Sequence, residues 1–199
     1  MSKLTRLTGL LCLLSLLVAC GSTPQSNHYL LTANISETPA GQSPALGIGP
    51  VTIPEYLNRN SLVYSRGENQ LHISSTERWA EPLEDGITRV LGLNLARLLN
   101  TENVRPFPWH PKRPPDYGIK VRIMSLDASD SEVSMVAEWL VFRTDNAEPL
   151  HRRISQLREP LPGGELAPQQ IAPAYSALFY QLSEIIAAAI EESDPAAME

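Results

Sequence analysis

Cysteine is scarce in this chain: two among 199 residues, Cys12 and Cys20, both near the amino terminus. Nothing after residue 20 can form a disulfide or a cysteine-based zinc site, even in an oxidising compartment. Positive charge is also short. Sixteen Lys and Arg stand against 22 Asp and Glu, a formal net charge of −6. An acidic chain binds nucleic acid poorly, so no nucleic acid is expected as a partner. The same balance argues against broad electrostatic adhesion to anionic lipid. No segment carries the ~20 apolar residues that span a bilayer, and there are no internal repeats. Catalytic signatures are missing too. There is no Gly-x-Ser-x-Gly elbow. Gly47-Ile48-Gly49 lacks the third glycine that opens a helix in a dinucleotide loop. His28, His72, His110 and His151 are scattered, with no His-x-x-x-His pair and no paired acidic ligands. Glu81, Glu84 and Asp85 stand at a helix start and read as dipole partners rather than an acid/base pair. Asp127, Asp130 and Glu132 read as solvating a strand turn. No catalytic residue, cofactor or metal is expected.

The amino terminus is richer in information. Lys3 and Arg6 precede a leucine-rich run from Leu7 to Ala19, too short to span a membrane and suited to a signal-peptide core. The run ends in Leu17-Val18-Ala19-Cys20, and the small polar Gly21-Ser22-Thr23 follows. This resembles the lipobox of bacterial lipoproteins. The resemblance implies cleavage between Ala19 and Cys20, a thioether-linked diacylglycerol on the Cys20 thiol, and an acyl chain on the freed amine. Two lipid signals anchor stably, since each buried methylene adds ~0.8 kcal/mol. Residues 1–19 are then a signal peptide, 20–27 a lipidated flexible tether, 28–192 one α+β domain and 193–199 a disordered tail. The mature chain would have 180 residues and a charge of −8 once Lys3 and Arg6 are removed. Gly21 to Asn27 reaches about 25 Å fully extended, which keeps the domain near the membrane. In a Gram-negative cell the lipoprotein resemblance also supplies a sorting rule: Gly21, where Asp would signal inner-membrane retention, implies lipid anchoring at the outer membrane, facing the periplasm.

Patterning along the domain predicts strands at His28–Ala33, Ala45–Ile53, Ser61–Ser65, Gln70–Ser74, Tyr117–Asp127, Val133–Arg143 and Leu150–Arg158. Arg66-Gly67-Glu68-Asn69 reads as a hairpin loop. A helix is predicted from Pro82 to about Asn100, with Leu83, Ile87, Val90, Leu91 and Leu98 on one face. A second, from Ala167 to Glu192, buries Ile171, Tyr175, Leu178, Leu182, Ile185 and Ile186. The prolines between Arg105 and Asp116 exclude helix and leave at best a short strand and a stiff loop. Val133–Arg143 carries apolar residues on both faces, as for a central strand covered on both sides. Helices are too few for a doubly wound parallel sheet. The expected fold is α+β: a mixed, mostly antiparallel twisted sheet with two main helices.

Two clusters set large amphipathic aromatics beside polar residues: Val51 to Asn60, with Tyr56 and Arg59, and Arg78 to Leu83, with Arg78, Trp79 and Glu81. Tyr, Trp and Arg dominate binding hot spots. The competing reading is packing of the helix start against the sheet. Phe107 and Trp109 in the proline-rich loop are expected at the surface, where a stiff aromatic loop can meet a partner.

These residues also carry a family resemblance. Tyr29-Leu30, Pro54-Glu55-Tyr56-Leu57, Leu62-Val63-Tyr64, Trp79-Ala80-Glu81-Pro82-Leu83, Asn94-Leu95 and Glu138-Trp139-Leu140 occur in order behind the lipobox. Together they resemble the ABC-type transport auxiliary lipoproteins, most closely the PqiC (YmbA) type. Asn58-Arg59-Asn60 departs from the Asp-Arg-Pro often seen in the wider family. The resemblance implies a fold similar to the TolB amino-terminal domain and a non-enzymatic role. It implies a ring-forming homo-oligomer at the outer membrane, docked on a PqiB-like MCE-domain protein whose tunnel carries lipid. Two other readings compete. A cell-wall synthesis adaptor would need a longer tether than Gly21–Asn27, and an envelope hydrolase would need a nucleophile motif.

Overall fold

The computed structural model describes residues 25–34, 36–67, 69–162 and 166–193. The signal peptide, Ala19 and Cys20, most of the tether, and the tail after Ser193 lie outside the described residues. The elements are β1 (Asn27–Tyr29), β2 (Leu46–Thr52), a 3-10 turn (Glu55–Leu57), β3 (Ser61–Ser65), β4 (Leu71–Trp79) and α1 (Leu83–Leu98). They continue with β5 (Val104–Pro106), β6 (Tyr117–Ala128), β7 (Glu132–Arg143), β8 (Pro149–Pro160) and α2 (Pro168–Ser193).

The architecture is the expected single α+β domain with two helices, but the strands form two sheets. The larger runs β5-β2-β6-β7-β8. It is parallel across β5, β2 and β6 and antiparallel from β6 to β8. The smaller runs β1-β4-β3. Pro54 explains the division: β2 stops at Thr52, and the 3-10 turn redirects the chain into the β3–β4 hairpin. The hairpin is longer than its sequence pattern suggests, because β4 continues to Trp79.

The core lies on one face of the large sheet. Val133, Met135, Ala137, Trp139 and Val141 of β7 are fully buried there. Ile87, Val90, Leu91 and Leu95 of α1 and Leu178, Phe179, Leu182 and Ile186 of α2 belong to the same cluster. Both helices therefore pack on the same side. The opposite face of β7, with Val136, Leu140 and Phe142, is only half-covered. This corrects the expectation of a strand covered on both sides: the apolar residues of its second face have no helix above them. Leu98 and Ile185 are likewise only partly buried, and Leu95 and Leu99 complete the α1 stripe instead.

The predicted first strand is only three residues long. After Tyr29 the chain becomes a strap across the two helices. The Thr32 N–H donates to Ser176 Oγ at 3.0 Å, and the Asn34 N–H donates to Asn94 Oδ1 at 2.9 Å. Leu31 beneath the strap is buried. Side chains of the helices, not a neighbouring strand, satisfy this backbone.

Candidate docking surface

The sequence-predicted residues separate into an internal group and a surface group. Tyr56 and Trp79 belong inside. Tyr56 sits half-buried on the 3-10 turn, and its hydroxyl oxygen accepts the Leu126 N–H at 3.3 Å. Burial pushes the Tyr56 hydroxyl pKa up, the Leu126 hydrogen bond opposes the rise, and Asp127 adds to it. Trp79, at the end of β4, is 6% exposed. Its ring stacks on Tyr175 of α2, with centroids 6.3 Å apart and planes at 23°. The Tyr175 hydroxyl is fully buried with no hydrogen-bond partner, and burial, with nearby Asp127 and Tyr56, raises its pKa well above normal. These aromatics join the two sheets to α2. A buried Trp79 offers no free surface to a partner.

The charged candidates differ from one another. Arg78 is half-buried, and its guanidinium donates to the Ser75 carbonyl at 3.2 Å. Arg59 is exposed just past the 3-10 turn. Glu81 pairs with Arg89 at 2.5 Å, and Arg89 also donates to the Leu31 carbonyl at 2.9 Å. Gly86 makes that bend possible: a Cβ there would lie 2.9 Å from Glu81 Oε1. Glu81 thus helps fix the strap to α1.

Phe107 and Trp109 form the surface group. The Phe107 N–H donates to the Ile48 carbonyl at 2.8 Å as the chain leaves β5. Phe107 is 51% exposed. Its ring meets Trp109 edge-on, at 5.2 Å and 85°. Trp109 lies against β2 at Gly47, where a Cβ would come within 2.9 Å of the indole. Gly47 pairs with Gly118 of β6, which pairs with Phe142 of β7 and is covered by its ring. Gly47 thus makes room for the Trp109 indole and its neighbour Gly118 for the Phe142 ring, while Phe107 lies against Gly49. Further along, Arg105 donates to the Arg113 carbonyl at 2.7 Å, and Asp116 accepts the Ala45 N–H at 2.8 Å. The proline-rich loop is held at both ends.

Beside this loop, α1 and the β2–β5 edge enclose a groove of about 720 Å³. Ile48, Val51, Leu93, Val104 and Phe107 make it apolar, while Glu84, Asp85 and Glu102 stand on its rim. Arg89 also lines it but is committed to Glu81 and Leu31. Sequence reasoning missed this groove. One signal was present: Leu93 lies off the apolar stripe of α1 and is 39% exposed. Among the described residues, no group of three or more His, Cys, Asp or Glu is placed to hold a metal ion, and no helix is long and apolar enough to cross a membrane.

The family model of the ABC-type transport auxiliary lipoprotein component matches residues 29–187. The chain belongs to that family. Membership makes it a lipoprotein component associated with transport, and an anchored place in the cell envelope agrees with it. The match spans α1, most of α2, the large sheet, the β3–β4 hairpin and the aromatic loop. No curated protein matches the chain. Among solved structures, one described only as an uncharacterized protein is similar at 20% identity and TM-score 0.68, covering 84% of this chain and 99% of that one. Protein XCC0632 from Xanthomonas campestris is similar at 11% identity and TM-score 0.66, covering 81% of this chain and 93% of that one. At these identities the two structures bear on the fold alone, and they share it.

Proposed function

We propose that the auxiliary lipoprotein is a non-enzymatic, outer-membrane-anchored subunit of an MCE-type intermembrane lipid transport system, closest to the PqiC type. It docks on the tunnel of a PqiB-like MCE-domain protein at the outer membrane. The observation that carries this reading is the Phe107–Trp109 pair: two large rings on a tethered loop, one of them half-exposed, in a protein of a transport auxiliary family. Exposed aromatics held in place lose little entropy on binding, which suits them to a docking contact. One domain of this size encloses no conduit for a lipid chain, so a cyclic homo-oligomer is the form in which it would surround one.

Capture of the tagged full-length protein from detergent-solubilised membranes tests the reading. An MCE-domain protein is expected to co-purify with it and to be lost from the Trp109→Ala variant; the Trp109 ring does not line the groove beside the loop. Recovery of a penicillin-binding protein instead would transfer the assignment to a cell-wall adaptor. Hydrolysis of an ester substrate with no MCE protein recovered would transfer it to an envelope enzyme.

A further inference from the structure

The large sheet ends in two unlike edges. At one end β8 runs for twelve residues with no strand beyond it among the described residues. It is the basic part of an acidic chain, with Arg152, Arg153 and Arg158 against a single carboxylate, Glu159. Arg158 has a partner, Glu132 at 3.1 Å, and Arg152 a looser one, Glu138 at 3.8 Å. Arg153 has none among the described residues, but it pairs with Trp139 and stands on the helix side of the strand, whereas Arg152 and Ile154 stand together on the open side. Ile154 is 64% exposed, the most exposed large apolar side chain described. Charged residues often protect a strand edge from unwanted pairing. Protection accounts for the arginines but not for an isoleucine set bare among them. An apolar centre with a charged surround is the composition of a contact surface.

At the other end β5 pairs with β2 only from Leu46 to Ile48. Val51 and Thr52 pair with β6 alone, so that side of β2 opens into the groove beneath α1. The groove wall is apolar and its rim is acidic through Glu84, Asp85 and Glu102. The nearest cation, Arg89, is already engaged. The two ends are thus complementary: a basic edge with a bare isoleucine, and an acidic rim around an apolar wall.

We infer that the β8 edge of one copy, through Arg152, Arg153 and Ile154, docks on the acidic-rimmed α1–β2–β5 groove of the next copy. The occupant of the groove is therefore a second copy of this chain. This deepens the ring reading above and rests on it. Because the surfaces differ, each copy uses one of each, and the contact is head-to-tail. With the two surfaces at opposite ends of the large sheet, repetition of the contact closes as a ring. The mature chain's negative charge would oppose random association, so the local inversion of sign on β8 selects the register.

The test uses the full-length protein in detergent, with sedimentation velocity to read assembly and circular dichroism to verify the fold. One variant carries Arg152→Glu and Arg153→Glu; the other carries Glu84→Lys and Asp85→Lys. Each alone should raise the dissociation constant for self-association by about tenfold or more. Mixed in equal amounts they should assemble again, because every contact between unlike variants is once more between opposite charges. Glu84 and Asp85 stand in the first turn of α1, so their reversal can weaken the helix. If that variant melts early, Ile154→Asp, which changes only an exposed side chain, decides in its place. A wild type that assembles while the β8 variants assemble equally well overturns the interface and leaves the ring. A strictly monomeric wild type overturns both.

Discussion

At the scale of single residues, β1 is tied to β4 by hydrogen bonds to one carboxylate. Tyr29 Oη donates to Glu77 Oε2 at 2.5 Å, and Asn27 Nδ2 donates to Glu77 Oε1 at 3.1 Å. Burial, then the Glu77 hydrogen bond and charge, push the Tyr29 pKa up to about 12. The Tyr29 hydrogen bond in turn holds the Glu77 pKa below normal, against a smaller opposing effect of burial. The signs follow from linkage. The Glu77 contribution is present above the ordinary carboxylate range and is lost as pH falls through its lowered pKa. The Tyr29 contribution is present below the ordinary tyrosine value and is lost as pH rises towards about 12. An NMR titration should show the Tyr29 phenolate forming only near pH 12, and in Glu77→Gln at a lower pH that is still above normal, because burial remains. A Tyr29 titration unchanged by Glu77→Gln would remove the pairing from the account.

At the scale of elements, the aromatic side chains divide by burial, and two substitutions should separate them. Trp79→Ala removes a core ring stacked on α2 and should cost about 3–5 kcal/mol in denaturant unfolding. Phe107→Ala trims an exposed ring and should change stability by no more than about 0.5 kcal/mol. A large loss from Phe107→Ala would make the loop a piece of the core. This division also shows what the sequence made legible. The helix bounds and the β6–β8 meander follow local periodicities, so the pattern found them to within two residues, whereas β4 runs five residues past its predicted end. The proline-rich loop was legible because proline forbids helix. Trp79 and Phe107 were harder to tell apart, because both are aromatics at element ends and only tertiary neighbours decide which is covered. The Leu30–Asn34 strap reads as strand in sequence, yet its acceptors, Ser176 and Asn94, are far away along the chain. The groove was least legible, since it is assembled from α1, β2 and β5 and no local window holds all three.

At the scale of the whole molecule, the division into two sheets matters more than the helix count. The small sheet meets the end of the large one where Ser65 Oγ donates to Asp127 Oδ2 at 2.5 Å and Tyr56 accepts from Leu126. With both helices on one face, the other face of the large sheet carries no helix and no strand lies beyond β5 or β8 among the described residues, although Trp109 covers Gly47 there. The lipid anchor bears on the same scale. Cys20 lies outside the described residues, and the prediction for it is compartmental: Cys20→Ala should move the protein from the membrane fraction to the soluble one on fractionation. Continued membrane association of that variant, with no partner present, would mean that something other than the lipid holds it there.

The missing side chains at Gly47 and Gly49, beneath Trp109 and Phe107, have a consequence for protein engineering. The Phe107–Trp109 segment is seated by missing atoms on a strand it does not belong to, so it is not a portable module. Transplanted into a relative whose β2 carries a side chain at the position of Gly47, the same loop sequence would be lifted off its bed and present its rings at a different angle. Any transfer of the loop between relatives should therefore carry the floor along with it.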